Sequence, residues 1–269
     1  MKGEVQMIKF RCHTLPDLMS GKFEVSVPIT DKQIQLLETL KNKPKLTEKQ
    51  DAEMRRLQAL SEMPEELQMS DTVKSCILKT YLAEKYGFRR VITSPEITKG
   101  LLREDEAIAL YGEVKGLFLI KNEIHFENDY IKGTPDALDT ISGLDAVLEF
   151  KTSYDFESFF LMNREKALKN YFWQVMGYMR LTGRPTARLV FVYLPPTEAD
   201  IVNELYRISF TFPEGTQRFI EIESQLRSNA SIELTSEERI KEYIINFDEG
   251  LAIEIERRVE LARTILINF

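Results

Sequence analysis

The chain has 269 residues, 43% hydrophobic and 10% aromatic, with 36 basic and 43 acidic side chains and a formal net charge of −7 at pH 7. This composition excludes a disordered chain and suffices for one large domain or two small ones with a substantial core. No apolar run is long enough to cross a bilayer, the N-terminal stretch lacks a signal-peptide core, and Cys12 and Cys76 form neither a disulfide framework nor a metal knuckle, so a reducing, cytoplasmic setting without membrane contact is expected.

In chain order, "MIKFRCHTLPDLMS" reads as a short strand entering a turn or helix start, and 22–29 as an extended piece. Apolar residues at helical spacing behind Thr or Asp caps predict helices over 30–42 and 47–60, so that 30–65 resembles a helical arm. A third helix is predicted over 70–87, capped by Ser70 or Asp71 and stopped by Gly87. A fourth is predicted over 94–116, with Ser94 as N-cap and Pro95 in the first turn. The texture then changes: 117–120 and 124–128 read as a hairpin, 130–141 as a strand broken by Gly133 and Pro135, and 145–153 as another strand. A helix over 157–182, strands over 187–196 and 205–212, and two or three C-terminal helices complete the pattern, with a cap at Thr235 or Ser236. Helix, antiparallel strands, helix, strand implies an α/β fold with a mixed β-sheet flanked by helices.

Charge is unevenly spread. Residues 71–103 carry seven basic and three acidic side chains, a net of +4, and residues 214–260 carry twelve acidic and six basic, a net of −6. A basic upstream face is therefore compatible with a nucleic-acid partner despite the overall sign.

The chemistry concentrates in "GTPDALDTISGLDAVLEFK". Residues two apart on a strand share a face, so Glu149 and Lys151 project together, and Asp136 behind Pro135 can be aimed across from the neighbouring strand. Two carboxylates suit a hard divalent ion such as Mg²⁺ or Mn²⁺, one or two of them, and the ammonium suits developing phosphoryl charge. A bare Glu-x-Lys triplet would more often be a solvated ion pair. Asp139 and Asp145 read as turn residues, His125 as structural, and Tyr171 and Trp173 as core.

The Pro-Asp pair followed thirteen residues later by Glu-x-Lys resembles the PD-(D/E)XK nuclease superfamily. Gln174 and Tyr178 on the following helix resemble the QxxxY motif of its RecB-like and lambda-exonuclease-like branches. "GLLREDEAIALY" (Gly100, Glu104, Ala107, Tyr111) is similar to a helix pattern of the lambda-exonuclease-like, YqaJ-type viral recombinases, and "FRCHTLPDLMS" is similar to the opening of phage exonucleases. The resemblance covers roughly 8–20 and 70–195. It implies a restriction-endonuclease-like core over 94–212, a helical N-terminal segment over 1–93 that binds DNA ends, and a helical extension over 213–269, all within one compact domain. It implies Asp136, Glu149, Lys151, Gln174 and Glu104 as catalytic residues, with Asp136, Glu149 and Glu104 on the metal. Arg11, Thr14 and Tyr178 would bind substrate, the first two at a terminal 5′ phosphate. The implied activity is Mg²⁺-dependent 5′-to-3′ digestion of linear double-stranded DNA in phage-type recombination or repair. The implied partners are duplex ends and a single-strand annealing protein, and the implied assembly is a homo-oligomer, a trimer in the family. An endonuclease with the same core, and a non-catalytic nucleic-acid-binding protein with a degenerate site, are the alternatives; intact Asp136, Glu149, Lys151 and Gln174 argue against the second.

Overall fold

The computed structural model describes residues 7–26, 29–62, 66–91, 95–139, 143, 145–153 and 155–267. Ser94, the expected cap of the fourth helix, lies outside them. The chain groups into two compact units, Asp17–Leu78 and Met1–Pro16 with Lys79–Phe269.

The chain enters through β1 (Phe10–Arg11), a 3-10 turn (Cys12–Thr14) and a one-turn helix, α1 (Leu15–Leu18). The smaller unit holds β2 (Phe23–Ser26), α2 (Asp31–Lys41), α3 (Glu48–Ser61) and β3 (Glu66–Met69), with β2 antiparallel to β3. Thr30 with Gln33, and Thr47 with Gln50, form the capping boxes that start the two helices. Their apolar faces close over Ile29, Leu37, Leu40 and Leu57. The next helix, α4 (Asp71–Tyr86), begins where the Ser70 hydroxyl accepts the Val73 N–H at 3.3 Å and ends at Gly87, whose φ of 66° suits glycine.

The larger unit continues with α5 (Pro95–Lys115), β4 (Phe126–Glu127), β5 (Ile131–Gly133), β6 (Ala137–Asp139) and β7 (Ala146–Thr152). There follow α6 (Phe156–Phe160), α7 (Arg164–Thr182), β8 (Thr186–Val192), α8 (Glu198–Ser209), α9 (Gln217–Ala230), β9 (Ile240–Asn246) and α10 (Glu249–Ile267). The main sheet runs β6-β7-β8-β9, with β7 and β8 parallel and both outer pairs antiparallel. The parallel pair needs a crossover, which α7 supplies. A second sheet runs β1-β5-β4, with β1 parallel to β5. From one side of the main sheet, Leu148, Phe150, Val190 and Val192 pack with Ala107, Ile108 and Tyr111 of α5. The opposite side meets α7, where Tyr171 stacks edge-on against Phe191 at 5.8 Å.

Five expectations are corrected. Residues 117–120 are not a strand, and β4 pairs with β5 instead; Lys121 makes a lone bridge to Ala137. The stretch 130–141 splits into β5 and β6, which join different sheets, because Pro135 cannot donate to a ladder. Residues 205–209, expected in a strand, are the C-terminal end of α8: Thr197 and Asp200 form a capping box, and Ile201, Leu205 and Ile208 keep helical spacing into a core with Phe219. The C-terminal segment is not purely helical. The Thr235–Glu238 box forms (Glu238 N–H to Thr235 Oγ1, 3.3 Å), but after one 3-10 turn at Glu237–Arg239 the β-branched and aromatic run continues as β9 along the full length of β8. The helix expected over 157–182 is two pieces, α6 and α7, each with its own cap, Asp155 and Asn163.

Candidate active site

The site forms where β6 and β7 meet under α7. Asp136 sits just before β6. The Asn122 N–H bonds its carbonyl at 2.7 Å and the Asn122 amide bonds the Pro135 carbonyl at 3.0 Å, which fixes the bend that aims the Asp136 carboxylate at β7. There Asp136 Oδ2 accepts the Phe150 N–H at 2.7 Å. Glu149, only 1% exposed, lies on a strand whose residues from Ala146 to Phe150 are all buried. Its Oε1 accepts from Lys151 Nζ and from Gln174 Nε2, each at 2.5 Å. Its Oε2 is buried with no hydrogen-bond partner. A buried carboxylate oxygen without a donor is costly, so this atom is the part of the site that most demands a cation.

Electrostatics point the same way. Burial pushes the Asp136 carboxyl well above the usual carboxylate range; the Glu149 charge adds to this, Lys151 pulls it back, and Glu104 raises it further. Burial pulls the Lys151 ammonium down, but Glu149 and Asp136 more than offset it and hold its pKa above the usual lysine range. Lys151 Nζ also lies 5.2 Å from the centre of the Tyr171 ring.

Glu104 of α5 is ion-paired to Lys121 at 3.1 Å, close enough to Asp136 for its charge to be felt there. The other acids of that stretch go elsewhere: Asp105 is mostly exposed, 3.6 Å from Lys121, and Glu106 pairs with Arg103. Ala107 and Tyr111 are core residues, with the Tyr111 hydroxyl donating to Glu242 at 2.9 Å. Among the described residues, no three His, Cys, Asp or Glu side chains are grouped to hold an ion as they stand. Lys121 draws on Glu104, and Lys151 occupies one oxygen of Glu149. The donors nevertheless fit a hard divalent cation: two carboxylates side by side, one with an unpartnered oxygen, and a third within electrostatic reach.

Tyr178, a substrate-binding candidate, is buried. Gln174 Nε2 lies 3.4 Å from its hydroxyl, and its ring lies where a Cβ on Gly133 would fall, 2.7 Å from Cε1. It packs behind Gln174 rather than facing solvent. Thr14 spends its hydroxyl proton on the Arg11 carbonyl at 2.8 Å. Arg11, on β1 opposite Lys132 of β5, has no ion pair or side-chain hydrogen bond among the described residues. His13 shows what surrounds this corner: burial lowers its pKa, and the charges of Arg11, Lys151 and Arg89 lower it further.

Sequence reasoning missed Lys121 and Asn122, and took Arg89 only as one of the basic residues of 71–103. It also missed the role of Gly133 and Gly177, which let the Cys12 turn lie against α7: a Cβ on Gly177 would fall 2.6 Å from Leu15 Cδ1 and 3.0 Å from Cys12 Sγ. A glycine inside an otherwise regular helix was the available signal. His125 contacts Thr134 (Nδ1 to Oγ1, 3.2 Å), and Asp145 occupies a turn at φ 42° with Arg184 on its carboxylate.

The fold, a mixed sheet flanked by helices with Asp136, Glu149 and Lys151 brought together at β6 and β7, is the fold of solved phage-type exonucleases. Over nearly its whole length the chain is similar to the phage-related exonuclease of Haemophilus somnus, at 23% identity and a TM-score of 0.60, covering 97% of this chain and 96% of that one. It is also similar to the alkaline exonuclease LHK-Exo of Laribacter hongkongensis, at 13% identity and a TM-score of 0.54, covering 98% and 90%. The structure of LHK-Exo in complex with dAMP matches equally, at 14% identity and 0.54, covering 98% and 91%. No protein-family model matches the sequence, and no curated protein is significantly similar to it. Identities this low carry the fold, and function is argued from the site.

Proposed function

We propose that the chain is a Mg²⁺- or Mn²⁺-dependent exodeoxyribonuclease that hydrolyses phosphodiester bonds of linear double-stranded DNA, 5′-to-3′, in phage-type recombination or repair. The observation that carries this reading is Glu149: fully buried, donated to by Lys151 and Gln174 at one oxygen, unpartnered at the other, and beside Asp136. Asp136 and Glu149, with Glu104 joining them, are the residues that would hold the ion. When bound, the ion supplies Lewis-acid polarisation of the scissile phosphoryl group and lowers the pKa of the attacking water. Gln174 fixes the Glu149 carboxylate through Oε1 and leaves Oε2 for the ion. Lys151, hydrogen-bonded to Glu149 Oε1 and held positive by the Glu149 and Asp136 charges, is placed to stabilise charge on the phosphoryl oxygens in the transition state or to hold the attacking water. Arg11, without an ion pair among the described residues, is the guanidinium for a terminal 5′ phosphate, whose extra negative charge an internal diester lacks. Thr14 supports the Arg11 backbone, and Tyr178 backs Gln174. A homo-oligomer, a trimer as in the resembling family, and a single-strand annealing partner belong to the same proposal.

The test compares linear duplex with 5′ phosphates, the same duplex with 5′ hydroxyls, and covalently closed circles, in Mg²⁺. Linear 5′-phosphorylated DNA is degraded, hydroxyl ends are cut more slowly, and closed circles are spared. Arg11→Ala erases most of the phosphate preference. Lys151→Ala lowers turnover by about 10²–10³ while leaving metal binding. Closed circles nicked as fast as linear DNA is digested would favour the endonuclease alternative, and wild-type turnover by Lys151→Ala would remove the lysine from the mechanism.

A further inference from the structure

The turn that follows α4, Tyr86-Gly87-Phe88-Arg89-Arg90, has exposed aromatics and exposed cations side by side. Phe88 is 62% exposed and Tyr86 63% exposed. The backbone of the turn is fixed by hydrogen bonds. Gly87, at φ 66°, ends the helix, its N–H bonding the Ala83 carbonyl and the Phe88 N–H bonding the Leu82 carbonyl, each at 3.1 Å. Tyr86 meets Tyr81 edge-on at 5.9 Å, and Lys85 lies over both rings at 5.1 and 5.4 Å.

Most arginines of the larger unit are matched to carboxylates, among them Arg103, Arg180, Arg188, Arg207 and Arg227. Arg89 and Arg90 are exposed and have neither an ion pair nor a hydrogen bond among the described residues. The one acid in 79–91, Glu84, is neutralised by Lys132 at 2.5 Å. In a chain of net charge −7, this turn is a local positive surface. It borders the candidate site, because Glu84 on the last turn of α4 is bonded to Lys132, the β5 residue opposite Arg11.

We propose that this turn grips an unpaired DNA strand at the mouth of the site, with Arg89 and Arg90 on successive phosphates and the Phe88 ring against a base. An exposed ring can stack only on a base whose face is free, so the ligand is single-stranded DNA or a frayed end; an intact duplex offers phosphates and groove edges instead. The nuclease reading enters only in naming DNA as the strand that arrives there.

The experiment uses the full chain in EDTA, so that nothing is cut, and measures fluorescence anisotropy of a labelled short oligothymidine and an abasic oligomer of equal length across a salt series. Phe88→Ala should weaken oligothymidine binding about tenfold or more and leave the abasic oligomer unchanged. Arg89→Gln with Arg90→Gln should weaken both oligomers and flatten the log–log salt dependence by about 1.4, at roughly 0.7 per phosphate on a single strand. Phe88 is exposed, so the variant should melt with the wild type. Equal effects of Phe88→Ala on both oligomers, or none, would overturn the proposal. So would a change in oligomeric state with DNA affinity intact, which would make the turn a protein interface. A chain that shows this binding pattern but cuts nothing in Mg²⁺ would reject the nuclease reading and keep the grip, and the opposite pattern would do the reverse.

Discussion

Gly177 offers a test in which two known effects oppose each other. In an open helix, replacing glycine by alanine stabilises by about 1 kcal/mol. Here the new methyl would lie 2.6 Å from Leu15 Cδ1, 3.0 Å from Cys12 Sγ and 3.5 Å from Ile131 Cδ1. All three neighbours are fully buried, so none can swing into solvent. Forcing a methyl into packed surroundings costs about 1–3 kcal/mol, and the cost should win. We expect Gly177→Ala to lose about 1 kcal/mol net, which for a chain of this size is roughly 2–4 °C in Tm. Urea or thermal melts read this directly. Leu15→Val withdraws the offending methyl, so the double variant should recover part of the loss, with a coupling of at least about 0.5 kcal/mol. The displaced Cys12–Thr14 turn follows Arg11 directly, so the preference for 5′-phosphorylated ends should weaken as well. A Gly177→Ala chain that melts above wild type, or a double variant whose effects simply add, would refute the close packing of the N-terminal turn on α7.

Two further outcomes concern the carboxylates. Mg²⁺ or Mn²⁺ at about 100 times its dissociation constant should stabilise by about 2.7 kcal/mol through mass action; melting curves with metal and with EDTA read the shift, which should vanish in Asp136→Ala and persist in Lys151→Ala. The second is a pH dependence. Asp136 has a raised pKa in the folded state, so between the unfolded aspartate value and that raised value the folded chain binds the extra proton, and metal-free stability falls as pH rises through the window. Asp136→Asn, which still offers an oxygen to the Phe150 N–H, should be more stable than wild type at neutral pH in EDTA and should flatten this part of the profile; denaturant midpoints from pH 4 upward would expose an equal slope in both proteins, the result that removes the burial argument.

The core of the site was legible because its chemistry is local in sequence and periodic in structure. Glu149 and Lys151 share a face by strand alternation, and Gln174 shares a helix face with Tyr178. What was not legible depends on distant contacts. Nothing near Glu104 indicates that Lys121 will pair with it, and nothing near Arg11 indicates that Arg89 will approach the same corner. Tyr178 matched a motif, yet its place behind Gln174 follows from the absence of a side chain at Gly133. The C-terminal strand was hidden for another reason: the capping box at Thr235 is real, but such a box starts a turn and does not oblige the chain to continue as a helix. The run through Tyr243, Ile244 and Ile245 gains more from pairing with β8.

The C-terminal segment, which carries none of the recognisable motifs, also holds part of the site in place. Arg263 of α10 is buried beneath the Tyr130 ring, and its guanidinium donates to the Ile8 carbonyl at 3.1 and 2.9 Å and to the Asp129 carbonyl. One side chain thus ties the approach to β1 to the approach to β5, the two strands that carry Arg11 and Lys132. Arg180 of α7 reaches α10 as well, bonding Glu256 and Glu249 at 2.9 Å. Because α7 carries Gln174 and β1 carries Arg11, α10 braces both the residue that bonds the Glu149 carboxylate and the strand that carries the Arg11 guanidinium. A buried guanidinium bonded to two backbone carbonyls is costly to leave unpaired. The distance between the motif-bearing core and the N-terminal arginine is therefore set by residues that motif reading passes over, and part of the precision of the site resides in the last helix of the chain.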